Sequence, residues 1–289
     1  MRRIGVIGTA GGWSSERLAK AFERRTGTRI LIDMEEVVLD LEKQRVTARG
    51  LDLSELDALV LKKVGAAYSP NLGYRLDLLE FLTPRGVPMF SAPAAIRRAL
   101  DRLSCSSVLR SNDVPMPATL ITEDVLEAVS AVRQFGAAFL KPLLSSKGRG
   151  IRLVYDTEDA LDDIEAFKDL GNPILYVQQR VEVSGSDICI AFLGGEYLGA
   201  YSRVHDPNER RISRKYQRCA PSDELVELAR HAQSLFDLDL TYVELIETRQ
   251  GPLVIDVSAF GEFRSLLDIC GVDACEQLAD YVLRHLAQS

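Results

Sequence analysis

The first ninety residues alternate short apolar runs with amphipathic stretches, and this alternation restricts what the chain can build. "RIGVIG" reads as a strand closed by glycine, and "SSERLAKAFERR" follows with helical spacing and a serine start. "RILID" and "DALVLKKV" read as further strands, and "NLGYRLDLLEFLTPRG" as a helix stopped by proline and glycine. Strands joined through helices predict a small α/β lobe with a largely parallel sheet. At 289 residues the chain is too long for one comfortable core and long enough for two or three packed lobes.

The pattern then changes. "APAAIRRALDRLSCSSVLRSNDVPMPATL" predicts two helices and a proline-marked turn into a strand. Helix "TEDVLEAVSAVRQFG", strand "AAFLKP", strand "GIRLVYD" and helix "TEDALDDIEAFKDLG" predict an α+β unit in which two strands pair across a loop. From "ILYVQQRV" onward comes a region of hairpins. "DICIAFLGGEYLGAYSRV" places two strands around a Gly-Gly turn, and "LTYVELIET" and "PLVIDVSAF" flank "RQG". The helix "DELVELARHAQSLF" lies between these pairs, and "DACEQLADYVLRHLAQ" closes the chain. The expected division is an N-terminal α/β domain over residues 1–94, a small lobe over 95–175 and a C-terminal lobe over 176–289.

Several function classes are disfavoured at this level. A net charge of −7 argues against a general nucleic-acid or membrane binder. No apolar run is long enough to span a bilayer, and "MRRIGVIGTAGG" breaks at glycine, as a first strand rather than a signal peptide would. Cys105, Cys189, Cys219, Cys270 and Cys275 are widely spread without a C-x-x-C pair, which suits reduced thiols in the cytoplasm. His205, His231 and His285 are far apart in sequence, so neither a zinc site nor a serine triad has local support.

Chemistry concentrates in two places. In "FLKPLLSSKGRGIRLV", residues 139–154, a tip of serines, cations and glycines joins two apolar runs, as backbone that wraps an anion would require. Further on, alternation along "TYVELIET" puts Tyr242, Glu244 and Ile246 on one face and Val243 and Leu245 on the other. In "PLVIDVSAF" it puts Val254, Asp256 and Ser258 on one face and Leu253, Ile255 and Val257 on the opposite one. If "RQG" makes these strands antiparallel neighbours, Glu244 and Asp256 share a surface. Facing acids are destabilising unless a cation or hydrogen bonds intervene, and oxygen ligands plus phosphates suit Mg2+. The alternative is a solvated strand face. The first turn, "GTAGGWSSE", is either a phosphate site at a helix N-terminus or a tight strand-to-helix connection. It matches neither G-x-G-x-x-G nor a P-loop.

In order and spacing these motifs resemble the ATP-grasp superfamily, specifically its RimK-like carboxylate–amine ligases. The resemblance covers nearly the whole chain. It runs through "LDRLSCSSVLRSNDVPMPAT", "FLKP" with "SSKGRGI", "YVQQRV", "DICIAFLGGEYLGAYSRV", "YVELIE" and "LVIDVSAFG". "GGWSSERLA", "NDVPMPAT" and "DVSAFGEFR" are similar to the ATP-grasp component of bacterial GAK gene clusters. The implied fold is an ATP-grasp fold of α/β and α+β lobes behind an N-terminal α/β (pre-ATP-grasp) domain.

Residue by residue, the resemblance implies that Lys141 meets the nucleotide phosphates and that Arg102 stands where many relatives have lysine. It makes Ser145, Ser146, Lys147, Gly148, Arg149 and Gly150 a flap over them. Gln178, Gln179, Arg180 and Val181 match a hinge that reads adenine through its backbone, and Asp187 matches the acid on the ribose. Arg203 fits a cation at the transferred phosphate, with Lys141 its catalytic companion, and Glu244, Asp256 and Ser258 match the metal ligands. The segment "RVHDPNERRISRKYQRC" is either a loop presenting Arg211, Arg214, Lys215 and Arg218 to an anionic substrate or a solvated charge run.

Three positions depart from the family pattern. Ser258 replaces an asparagine ligand, Cys189 replaces an arginine after Asp187, and "SAFGEF" replaces a Ser-Pro-Gly run. The implied reaction is attack of a carboxylate on ATP, giving an acyl phosphate and ADP, then amide formation with an amine. ATP and Mg2+ are the implied cofactors, with two ions expected and Mn2+ as a substitute. The expected partners are carboxylate and amine substrates, from small molecules to protein tails, with no membrane and no nucleic acid. A homodimer is expected by analogy alone. A non-catalytic ATP-binding regulator and a phosphotransferase remain as alternatives.

Overall fold

Residues 4–7 are buried along their whole length, as a strand covered on both faces must be. They form β1 (Ile4–Ile7), and the computed structural model describes residues 1–146, 148–184, 187–203 and 216–288. Helix α1 (Trp13–Thr26) leads from β1 to β2 (Ile30–Ile32). After β3 (Val37–Asp40), β4 (Arg45–Ala48) and β5 (Leu51–Asp52) come β6 (Ala58–Leu61), α2 (Asn71–Glu80) and β7 (Met89–Phe90). The sheet order is β2-β1-β6-β7, parallel throughout, as the alternation predicts. The separate antiparallel sheet β3-β4-β5 is not anticipated. Its strands are only two to four residues long, so the alternation of Val37 with Leu39 and of Val46 with Ala48 is too short to announce it.

Helices α3 (Pro93–Leu100) and α4 (Arg102–Ser111) meet at Asp101, whose carboxylate accepts from Ser104 N–H and starts α4. The chain continues through β8 (Thr119–Thr122), α5 (Val125–Phe135), β9 (Ala137–Lys141), β10 (Arg152–Tyr155), α6 (Ala160–Asp169) and β11 (Leu175–Gln179). These strands form an antiparallel sheet in the order β10-β9-β11-β8, with a core of its own built on Val132, Leu140, Ile164, Phe167 and Val177. Strand β11, read above as the head of the hairpin region, is hydrogen-bonded between β9 and β8. That pairing buries Leu175 and Val177 in the core under α5 and α6, and nothing local to "ILYVQQ" says which sheet it will join.

The third sheet, in the order β14-β13-β12-β15-β16, contains β12 (Asp187–Leu193), β13 (Glu196–Arg203), β14 (Tyr216–Arg218), β15 (Leu240–Thr248) and β16 (Gly251–Val257). Helices α7 (Asp223–Ser234), α8 (Arg264–Cys270) and α9 (Ala274–Gln288) complete it. One face of this sheet packs Ile190, Phe192, Val243, Leu245 and Val254 against Ala229 and Ala232 of α7. Toward the other face, Cys189, Ala191 and Leu240 share a core with Ile4, Val6 and Leu18 of the first lobe and Leu278 of α9. Ion pairs from Arg17 to Asp273 (2.6 Å) and from Arg25 to Asp280 (2.7 Å) join α1 to α9. Among the described residues no helix is long and apolar enough to cross a membrane.

The Gly-Gly turn between β12 and β13 has φ of +58° and +81°, the two positive values of a type I′ hairpin. A Cβ on Gly194 would also lie 2.4 Å from a ring carbon of Tyr281, whose hydroxyl is held by Asp239 at 2.9 Å. Gly194→Ala is therefore expected to cost about 2 kcal/mol, read from the denaturant midpoint.

Candidate functional site

The third sheet brings together acids that lie far apart in sequence. Asp187 of β12 is the register partner of Arg203 of β13, and Glu244 of β15 is the partner of both Cys189 and Asp256. The Glu244–Asp256 neighbourhood expected from the short "RQG" turn is present. The strict alternation expected along β16 is not. A bulge after Glu244 pairs Leu245 with Val254 and makes Ile255 the extra residue, so Val254 and Val257 both enter the core while Asp256 faces outward beside Glu244. Val254 thus leaves the face it was expected to share with Asp256 and Ser258.

Arg203 spans this face. Its Nη1 donates to Asp187 Oδ2 at 3.1 Å and its Nη2 to Glu244 Oε1 at 3.2 Å. Burial works against the arginine charge, but Glu244 and Asp187 more than offset it and hold the guanidinium ionised. Burial raises the pKa of Glu244, with Arg203 opposing. Burial likewise raises that of Asp256, against Arg102 and Lys141.

The second sheet supplies the facing cations. Lys141, at the end of β9, is 7% exposed, and its Nζ donates to Gln178 Oε1 at 2.5 Å. Burial and the Arg102 charge push the Lys141 ammonium down to about 8, while Asp256, Glu244 and Asp187 work the other way. Lys141 therefore feels the acids of the third sheet directly. Arg102, the first residue of α4, donates from Nε to Pro142 O (3.3 Å) and from Nη2 to Ser145 Oγ (3.1 Å). It is tied to the start of the glycine loop and stacks over Tyr176 at 5.9 Å. Three acids and three cations thus meet where the two sheets face each other.

The remaining predicted residues are placed as follows. Ser145 and Ser146 lead into a turn in which Gly148 and Gly150 adopt φ of +69° and +74°, as a loop needing left-handed backbone requires. Lys147 lies outside the described residues. Gln178 is buried with its side chain engaged, so it is more than the variable hinge position expected of it. Gln179 N–H goes to Ala118 O (2.8 Å) and Arg180 N–H to Ala137 O (2.9 Å), leaving Val181 as the first residue past the sheet. Ser258 N–H binds Tyr242 O, and its hydroxyl bonds to none of the described residues. Arg211, Arg214, Lys215 and His205 lie outside the described residues, and Arg218 is exposed on β14. The first turn is not an open anion site: Ala10 N–H is given to Asp33 (2.9 Å) and Gly11 N–H to Glu16 (3.0 Å). Of its two readings, the tight connection is the one formed.

Sequence reasoning missed two groups. Tyr68, from the loop after β6, has its phenol pushed up to about 12 by burial and by Asp256, which places the first lobe at the same site. Nothing in "AAYSP" marks it. On the face of β9 and β10 away from their helices, Phe139 is the register partner of Leu153, and Leu153 and Tyr155 remain 36% and 49% exposed. Apolar side chains on the face that also carries Lys141 can receive a flat base. Their strict alternation with buried Ala138, Leu140 and Val154 was the available signal.

Among the described residues no three or more of Asp, Glu, His and Cys form a ready-made metal cage. The donors fit a divalent ion that brings its remaining oxygen ligands with it: two carboxylates in register, and a third held through Arg203, whose Nε is buried without a partner among the described residues.

The chain is similar to known proteins over most of its length. The sequence model of the RimK-like ATP-grasp domain matches residues 99–282. Tetrahydromethanopterin:alpha-L-glutamate ligase of Methanosarcina acetivorans is 25% identical, covering 98% of this chain and 99% of its own. The RimK-domain ATP-grasp protein of Sphaerobacter thermophilus superimposes with a TM-score of 0.77 at 23% identity, over 96% of this chain and 98% of its own. The ATP-grasp ligase PsnB, solved with a precursor peptide, Mg and ADP, also reaches 0.77 at 18% identity, over 99% of both chains.

Proposed function

Because the chain belongs to the RimK-like ATP-grasp family of ADP-forming carboxylate–amine ligases, which use ATP and Mg2+, we propose that it joins a carboxylate to an amine through an acyl phosphate. The observation that carries this reading is the cross-strand pair Glu244–Asp256, with Arg203 beside it and Lys141 and Arg102 facing it.

In this reading the adenine lies against Phe139 and Leu153 next to the 178–181 hinge, and Asp187 takes the ribose. Lys141 and Arg102 hold phosphate oxygens, and the glycine loop with Ser145 and Ser146 covers them. Glu244 and Asp256 hold Mg2+, with Ser258 contributing through water; a second ion and replacement by Mn2+ are part of the proposal. The bound metal offsets negative charge on the phosphates. A substrate carboxylate oxygen forms a bond to the γ-phosphorus as the bond to the ADP oxygen breaks. The amine nitrogen then bonds to the acyl carbon, phosphate leaves, and the amine proton passes to solvent. No protein nucleophile is needed; the side chains position the reactants and stabilise charge.

The test is ADP and phosphate release from Mg-ATP, screened with paired pools of carboxylates and amines. L-glutamate leads the amine pools because relatives carry it in their names. Release that needs one pool of each kind establishes the ligase. A stable phosphorylated product would instead mark a phosphotransferase. Silence with nucleotide still bound would favour a regulator, the reading that Ser258 and the buried Cys189 support. Five free cysteines suit a reducing compartment, and a cytoplasmic location is part of the proposal.

Lys141 gives nucleotide binding a defined pH dependence. Phosphate stabilises the ammonium, so the bound-state pKa lies above the free value of about 8. Affinity is then flat below pH 8 and falls as pH rises through it. Lys141→Ala is expected to weaken binding about tenfold or more and to abolish this dependence, as calorimetry across pH would show.

A further inference from the structure

We infer that Gln178 is a positioning residue, whose side-chain amide holds the Lys141 ammonium in place without cancelling its charge. The geometry fixes which way the amide points. Gln178 Nε2 donates to Thr119 Oγ1 (3.1 Å) and to Tyr176 Oη (3.1 Å), so Oε1 is the atom left to face Lys141. A flipped amide would set its NH2 against an ammonium, donor against donor. Tyr176 Oη is itself bonded to Ser106 Oγ of α4 at 2.8 Å. One acceptor oxygen is therefore anchored from β8, β11 and α4 together. The Gln178 backbone has no play either, because it is paired to Phe139 on one side and Thr119 on the other.

The charged groups that act on Lys141 come from every side: Arg102 of α4, Asp187 of β12, Glu244 of β15 and Asp256 of β16. Arg102 disfavours the ammonium and the acids favour it. A glutamate at position 178 would form a tight buried pair with Lys141 and remove the free charge a phosphate seeks. An apolar residue would leave the ammonium without its acceptor. Glutamine supplies a strong dipole and keeps the net charge, which is what an anion-binding lysine needs. The consequence for phosphate binding rests on the function proposed above; the placement of Lys141 by Gln178 does not.

The experiment is to titrate Lys141 directly, by NMR on lysine-labelled protein, with Lys141→Arg to assign its signal. Wild type is compared with Gln178→Met and the isosteric Gln178→Glu. The midpoint is expected to fall by about one pH unit in the first and to rise by about one in the second. Affinity for a non-hydrolysable ATP analogue near neutral pH should drop about tenfold in both, for opposite electrostatic reasons. A role in packing alone would lower the melting temperature and leave the Lys141 midpoint unmoved in Gln178→Met, and that result overturns the inference. If Gln178→Met does not fold, the midpoint in Gln178→Leu decides. If Lys141→Ala leaves nucleotide affinity unchanged, the phosphate reading fails while the NMR titration still settles the role of Gln178.

Discussion

Asp256→Ala is expected to lower ATP turnover by about a thousandfold or more while the protein stays folded. Asp256 is one of two carboxylates in register on the third sheet, and in the proposed reaction it is a metal ligand. Ser258, two residues on, offers only a hydroxyl. The stability side has its own sign. Burial raises the pKa of Asp256, so keeping it ionised above its unfolded value costs the folded state; Arg102 and Lys141 return part of that cost. Removing the carboxylate relieves the first effect and loses the second, so the melting temperature should change little. Asp256→Asn, which keeps the shape, should be equally inactive. Full activity in either variant, with ADP release as the readout, would remove β16 from the metal site.

Arg203→Met is expected to damage both stability and turnover. The guanidinium side chain is one-fifth exposed and bridges two acids that are themselves largely buried. Removing one partner of a buried ion pair leaves uncompensated charge, typically about 3 kcal/mol or more. Here Asp187 and Glu244 would lose the cation they share. The melting temperature should fall by roughly 5 °C or more. Added Mg2+ should recover more stability in the variant than in wild type, because a divalent ion can then take the arginine's place between the acids. Turnover should fall by about a thousandfold even with Mg2+ saturating, since in the proposed reaction the arginine faces the developing charge on the transferred phosphate. Equal melting of variant and wild type without metal would show that the bridge does not hold the site together.

Much of the architecture was legible along the chain. Alternating strand and helix signals named the parallel first sheet, and glycines at 194 and 195 marked the tight hairpin between β12 and β13. The short turn at "RQG" was enough to place Glu244 opposite Asp256. What escaped was structure without local periodicity. The β3-β4-β5 sheet is built from strands of two to four residues and α8 is only seven residues long, too short for their patterns to stand out.

The sequence by itself determined which residues are candidates for the chemistry, because a cation, a glycine or an acid interrupting an apolar run is visible wherever the chain goes. Tertiary structure alone decided which of them meet. Strand β11 joined the second sheet because its apolar face completes a core under α5 and α6, and that choice put Gln178 beside Lys141. The bulge at Ile255 let Val254 and Val257 both reach the core while Asp256 stayed beside Glu244. Tyr68 came within range of the Asp256 charge because the first and third lobes share buried cores. Charges meet across sheets through packing between segments distant in the chain, and packing of that kind leaves no trace in any local stretch of residues.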